Sequence, residues 1–111
     1  MITRLVKLSL QADKAGDFEA LFYQTQSLIE DFEGCHKTNL FKISGNACQY
    51  FTISYWNTEQ DLENYRASAL FKDVWSQVKP LFSEKAEAWT LNVTTPVSIL
   101  TEAPVPAQKR P

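Results

Sequence analysis

An α+β fold with the chain order β-α-β-β-α-β follows from three features of the sequence. The chain opens on an alternating apolar run, "ITRLVKLSL". Two stretches, one after Asp13 and one after Thr58, carry apolar residues at helical spacing. Between them lie two strand-like runs separated by Gly45-Asn46, and a last such run follows Pro80. This order is the ferredoxin-like arrangement, in which two helices cover one face of a four-stranded antiparallel sheet. A length of 111 residues suits one domain and buries roughly two-thirds of the unfolded surface, enough for a core without a staple.

The first strand is predicted over residues 2–10, where Val6, Leu8 and Leu10 alternate with Lys7 and Ser9. Asp13 is the expected helix cap. In the helix that follows, Phe18, Leu21, Phe22, Leu28, Ile29 and Phe32 form one apolar stripe, and Gly34 supplies the stop. Gly45-Asn46 reads as a two-residue hairpin turn between "CHKTNLFKIS" and "ACQYFTISYW". That turn pairs Ser44 with Ala47, Phe41 with Tyr50 and Cys35 with Trp56. It sets Cys35 about eight residues along the ladder from the partner of Cys48, at ~3.3 Å per residue, so the two thiols do not bridge within one chain.

Thr58 and Asp61 make a capping pair for a helix carrying Leu62 and Tyr65. A further helical segment places Leu70, Phe71, Val74, Trp75 and Val78 at helical spacing and ends near Lys79, before Pro80. "KAEAWTLNV" is the last strand, with Trp89, Leu91 and Val93 on one face. The domain is expected over residues 1–94. Residues 95–111 hold four of the five prolines and read as an extended tail that needs a surface to lie on.

Composition excludes several function classes. Net charge is −2 and the basic residues are scattered, so no basic stripe invites nucleic acid. Arg4 and Lys7 interrupt the N-terminal apolar run, and no later stretch approaches a membrane span, so a cytoplasmic location is expected. There is no Gly-rich phosphate loop, nucleophile elbow or CxxC. Glu30, Asp31 and Glu33 beside His36 are a weak metal constellation and read as a solvated surface, so no metal is expected.

The third strand carries little charge on either face. Ala47, Phe51, Ile53 and Tyr55 share one side; Cys48, Tyr50, Thr52, Ser54 and Trp56 share the other. Both faces therefore call for cover. The simplest cover for the helix-free face is the same face of a second copy, which gives a homodimer whose sheets pack into a barrel.

With Gly34-Cys35 at the start of the second strand, "WNTEQDLENYRASALF" after the third and Trp89 in the last, the sequence resembles the antibiotic biosynthesis monooxygenase family, a group of dimeric α/β barrels. The resemblance spans roughly residues 1–94. It implies oxygenation of a phenol, quinol or polycyclic aromatic without cofactor: the substrate loses a proton and its anion reacts directly with O₂. It also implies a pocket between sheet and helices. In some members a Trp ending the third strand works with an Asn four residues earlier; here these positions hold Trp56 and Thr52. In the haem-degrading branch the functional positions correspond to Val6, Tyr65 and Trp75, none of which is the expected axial ligand, so haem degradation is disfavoured.

The catalytic candidates are thus Thr52, Trp56 and Tyr65, and the substrate-binding candidates are Tyr50, Ser54, Phe71, Trp75 and His36. Each has a plainer reading. The rings can be ordinary core, and the hydroxyls can satisfy one another within the protein or across a dimer. His36, the one near-neutral acid/base, lies opposite Tyr55 in the expected register, on the side away from Thr52 and Trp56, unless a β-bulge intervenes. A non-catalytic small-molecule-binding or sensing dimer on the same fold remains the alternative to an oxygenase.

Overall fold

A computed structural model describes residues 1–95. The proline-rich tail lies outside the described residues from residue 96 onward. The elements are β1 (Ile2–Ser9), α1 (Ala15–Glu30), β2 (Cys35–Lys42), β3 (Gln49–Trp56), α2 (Glu59–Arg66), α3 (Ala69–Val78) and β4 (Glu87–Asn92). The sheet order is β2-β3-β1-β4 and every neighbouring pair is antiparallel. This is the ferredoxin-like α+β fold expected from the sequence, with the helices on one sheet face.

Local sequence explains most boundaries. Thr58 caps α2 by accepting from the Asp61 amide at 3.1 Å, as expected. Ser68 caps α3 in the same way through Phe71, at 3.1 Å, so two adjacent caps split the second helical region. Pro80 sits in a short 3₁₀ turn directly after α3. Gly34 adopts φ +88°, and a Cβ there would stand 2.3 Å from the Asp61 side chain. Both facts reserve the position for glycine, and the contact sets the start of β2 against the first turn of α2.

Several expectations need correction. Asp13 does not cap α1; it lies in a 3₁₀ turn, and Lys14 occupies the cap position without a side-chain bond. Leu28 is exposed, because the buried stripe of α1 is Phe18, Phe22 and Ile29. The hairpin does not close through two residues. A longer connection joins Lys42 to Gln49, where Asn46 Oδ1 accepts from the Cys48 amide and the Asn46 amide bonds Ile43 O. The longer connection shifts the ladder by one residue. Lys42, not Phe41, stands opposite Tyr50, and Phe41 pairs with Phe51 on the other face. A β-bulge between Cys35 and Lys37 then restores the expected Cys35–Trp56 pair. His36 is the extra residue, so Lys37 takes the place opposite Tyr55. Both cysteines are free.

The helix-covered side has two separate cores. Ile2, Ile29, Trp56, Leu62 and Tyr65 form one, with Phe32 and Phe71 against it. Leu8, Leu10, Phe18, Tyr50 and Val78 form the other, with Val74 and Trp75 against it. The middle of the same sheet face carries Val6, Thr52, Ser54 and Thr38, which are short. Short side chains do not reach the helices, and a gap opens between the two cores. The opposite face carries Leu5, Phe51 and Ile53, together with Phe41, Trp89 and Leu91, each of the last three more than two-fifths exposed. No helix of the described residues is long and apolar enough to cross a membrane.

Candidate functional site

The gap is a cavity of about 330 Å³, within the size range of small-molecule sites. Its floor is Val6, Thr38, Thr52 and Ser54 from the sheet. Phe22 and Ile29 of α1, Leu62 and Tyr65 of α2, and Phe71, Val74 and Trp75 of α3 make the walls and roof. Arg66 and Ala88 both line the cavity and reach solvent, so it opens between the β4 edge and the second helical region.

Aromatic packing fixes the walls. Tyr65 stacks on Trp56 with centroids 5.0 Å apart and meets Phe71 edge-on at 5.2 Å. Phe71 in turn stacks on Trp75, with centroids 5.7 Å apart and planes 10° from parallel. Phe32 braces both Trp56 and Tyr65 from behind. Trp56 is 0% exposed. It therefore backs the cavity, positioning Tyr65 by the stack and Ser54 by an Nε1–H bond to its Oγ at 2.9 Å.

The polar groups divide into satisfied and unsatisfied. Thr25 donates to Leu21 O at 3.0 Å. Thr52 Oγ1 and the Tyr65 hydroxyl have no hydrogen-bond partner among the described residues, although Tyr65 is 9% exposed. A buried phenol without a protein partner is uncommon and calls for water or a ligand. Burial, with a smaller contribution from nearby Cys35, pushes the Tyr65 phenol up to about 12. At neutral pH it is a hydrogen-bond donor, not a base.

Six of the eight candidates from the sequence, Thr52, Ser54, Trp56, Tyr65, Phe71 and Trp75, come together around this cavity. Tyr50 and His36 do not. Tyr50 sits in the second core, edge-on to Phe18 at 5.2 Å, and donates its hydroxyl to the Glu19 carboxylate. His36 is exposed at the bulge and bonds Asn57 Oδ1 through Nε2. Arg4, Arg66, Thr25 and Thr38 line the cavity and were not singled out by the sequence. Arg4 was legible in principle: the alternation that turns Val6 and Leu8 inward also turns Arg4 inward. Among the described residues lining the cavity there is no carboxylate, imidazole, lysine or cysteine. Nor do the described residues contain any group of three or more potential metal ligands.

The sequence profile described as antibiotic biosynthesis monooxygenase matches residues 1–75. The chain belongs to that family. A search of curated proteins finds no match. Among solved structures, SnoaB, a cofactor-independent oxygenase from Streptomyces nogalater, aligns over 86% of this chain and 95% of its own at TM-score 0.77 and 14% identity. A Bordetella bronchiseptica protein named for the same family aligns over 85% and 97% at TM-score 0.77 and 23% identity. Rv0793 from Mycobacterium tuberculosis aligns over 87% and 98% at TM-score 0.78 and 15% identity. At such identities the likeness speaks for the fold alone.

Proposed function

We propose that this protein is a cofactor-independent monooxygenase of a small phenol or quinol. The observation that carries the reading is the aromatic-walled cavity in which the Thr52 and Tyr65 hydroxyls lack protein partners. A planar hydroxylated ring fits between Phe71–Trp75 and the sheet floor. Its oxygen, once ionised, accepts from Tyr65 and Thr52, the arrangement that stabilises an oxyanion in a water-poor site. Trp56 acts through Tyr65 and Ser54 as a positioning residue.

The chemistry balances without an added reductant. The phenol or quinol loses its proton, and the electron-rich ring carbon of the anion forms a C–O bond with O₂. The O–O bond then breaks. One oxygen stays on the carbon as a carbonyl, and the other leaves as water with two hydrogens from the substrate. No base lines the described cavity, so the favoured substrates are acidic enough for the donors and nearby cations to hold them as anions. Residues 1–94 are the working unit. Leu5, Phe51, Ile53, Phe41 and Trp89 on the helix-free face support a homodimer. A cytoplasmic setting suits a substrate that is a small aromatic molecule.

The absence of a lining base also favours a second reading, a binding or sensing protein that holds an aromatic without oxidising it. Oxygen-electrode assays over a panel of quinols separate the two. The oxygenase consumes one O₂ per quinol, and Thr52→Val slows it at least about tenfold, as expected for loss of an oxyanion donor. Tryptophan quenching by quinols with no oxygen uptake supports the second reading instead.

A further inference from the structure

We infer that the cavity selects an aromatic acid: a one- or two-ring hydroxyarene whose carboxylate is held at the cavity mouth by Arg4 and Arg66. This rests on the reading of the cavity as a site for hydroxylated aromatics.

Arg4 occupies an inward position at the centre of the sheet, on β1 between β3 and β4. An apolar side chain there would fill part of the gap, whereas a guanidinium is costly to withdraw from water. Of its five N–H donors, one bonds Thr90 Oγ1 at 2.7 Å. Its other N–H groups have no acceptor among the described residues. Arg66 ends α2 beside Tyr65 and lines the same cavity. Its Nη1 reaches both Glu63 carboxylate oxygens at 3.3 Å, a long and exposed contact that leaves the other donors open.

The charge balance at the mouth is positive. Two guanidiniums face one carboxylate, Glu63, while the neighbouring groups from β3 and β4, Ser54 and Thr90, are neutral. Burial and the nearby Arg66 charge both hold the Arg4 guanidinium below its ordinary value, with Glu63 opposing them. An incoming anion relieves that repulsion. No negative side chain of the described residues lines the cavity interior to oppose it. Planar forked donors match a carboxylate's two oxygens. The cavity volume is near the low end of ligand sites of about 300–1,000 Å³, which favours one or two rings over a large polycycle.

The test compares hydroquinone with gentisate, the same ring bearing a carboxylate. Anaerobic tryptophan quenching measures affinity in the full-length wild type, Arg66→Gln and Arg4→Gln. The expected result is about tenfold tighter binding of gentisate by wild type, a preference that salt weakens. Arg66→Gln, on an exposed helix position, is expected to bring the ratio of gentisate to hydroquinone affinity close to one, whatever it does to each affinity alone, and it carries the comparison if Arg4→Gln does not fold. Equal binding of the two ligands by wild type overturns the carboxylate assignment and leaves the aromatic site standing. A preference that survives in Arg66→Gln and in every folded Arg4→Gln preparation overturns it too. Failure of both ligands to bind overturns it together with the functional reading beneath it.

Discussion

Tyr50 and Tyr65 are both buried phenols on the helix-covered side of the sheet, yet they have opposite surroundings. Tyr50 belongs to the filled end. Phe18 packs on its ring, and its hydroxyl has a charged acceptor in Glu19, itself paired with Lys42 at 3.1 Å. Tyr65 belongs to the open end. Its ring is clamped among Trp56, Phe71 and Phe32, but its hydroxyl has no protein partner. One phenol completes a structure; the other has donor capacity to spare beside a cavity. Burial and aromatic packing are alike in the two, so neither quantity separates them. The unmet hydrogen bond does.

That contrast breaks if the two tyrosines respond alike to loss of the hydroxyl. Tyr50→Phe removes a bond to a charged but partly exposed acceptor and is expected to lower unfolding free energy by about 1–2 kcal/mol, measured by urea titration at pH 7. A smaller effect sharpens the comparison by pH. Tyr50, and then Lys42, hold Glu19 below its ordinary value of 4.5. The stability this contributes is present above the unfolded value and is lost as pH falls through the lower folded one. The gap between wild type and Tyr50→Phe is therefore expected to narrow by about 1 kcal/mol or less below pH 4.5, and to stay level between pH 6 and 8. The smallest stability effect belongs to Tyr65→Phe. It removes no protein bond and is expected to change stability by less than about 0.5 kcal/mol, while cutting ligand affinity or oxygen uptake several-fold. A loss of 1–2 kcal/mol from Tyr65→Phe, with binding intact, would erase the distinction.

Much of the fold was legible because period and punctuation agreed. The alternation in β1 and β3 assigned inward and outward residues correctly, and Thr58 and Pro80 marked boundaries that the structure keeps. Gly34, expected to stop α1, instead lies beyond it: the helix ends at Glu30 with Asp31 as its cap, which leaves Phe32 outside the helix, and Gly34 directly precedes β2. The hairpin was misread because Gly-Asn is a strong local signal, and the connection that formed uses the Asn46 side chain to turn a longer loop. A one-residue slip moves every side chain of a strand to the other face. Phe41 went outward for that reason. Of the candidate site, the aromatic walls and the Thr52–Ser54 floor could be found by facing and spacing. Tyr50 could not be separated from them, since alternation gives the face of a residue but not which helix side chain lies above it. Arg4 and Arg66 were lost for a different reason: against an unremarkable net charge, single arginines look like ordinary surface until a cavity is found beside them.

The bulge at His36 has a consequence for how this chain can change length. In most strands, deleting a residue reverses the facing of everything on one side of the cut. Here His36 is the surplus member of β2, standing between a Cys35–Trp56 pair and a Lys37–Tyr55 pair that already fit a regular ladder. Removing it would join those pairs directly and leave Thr38 and Leu40 on the cavity side. The second strand thus carries one residue of slack at its first turn. Relatives or engineered variants one residue shorter at this point can keep the same cavity floor.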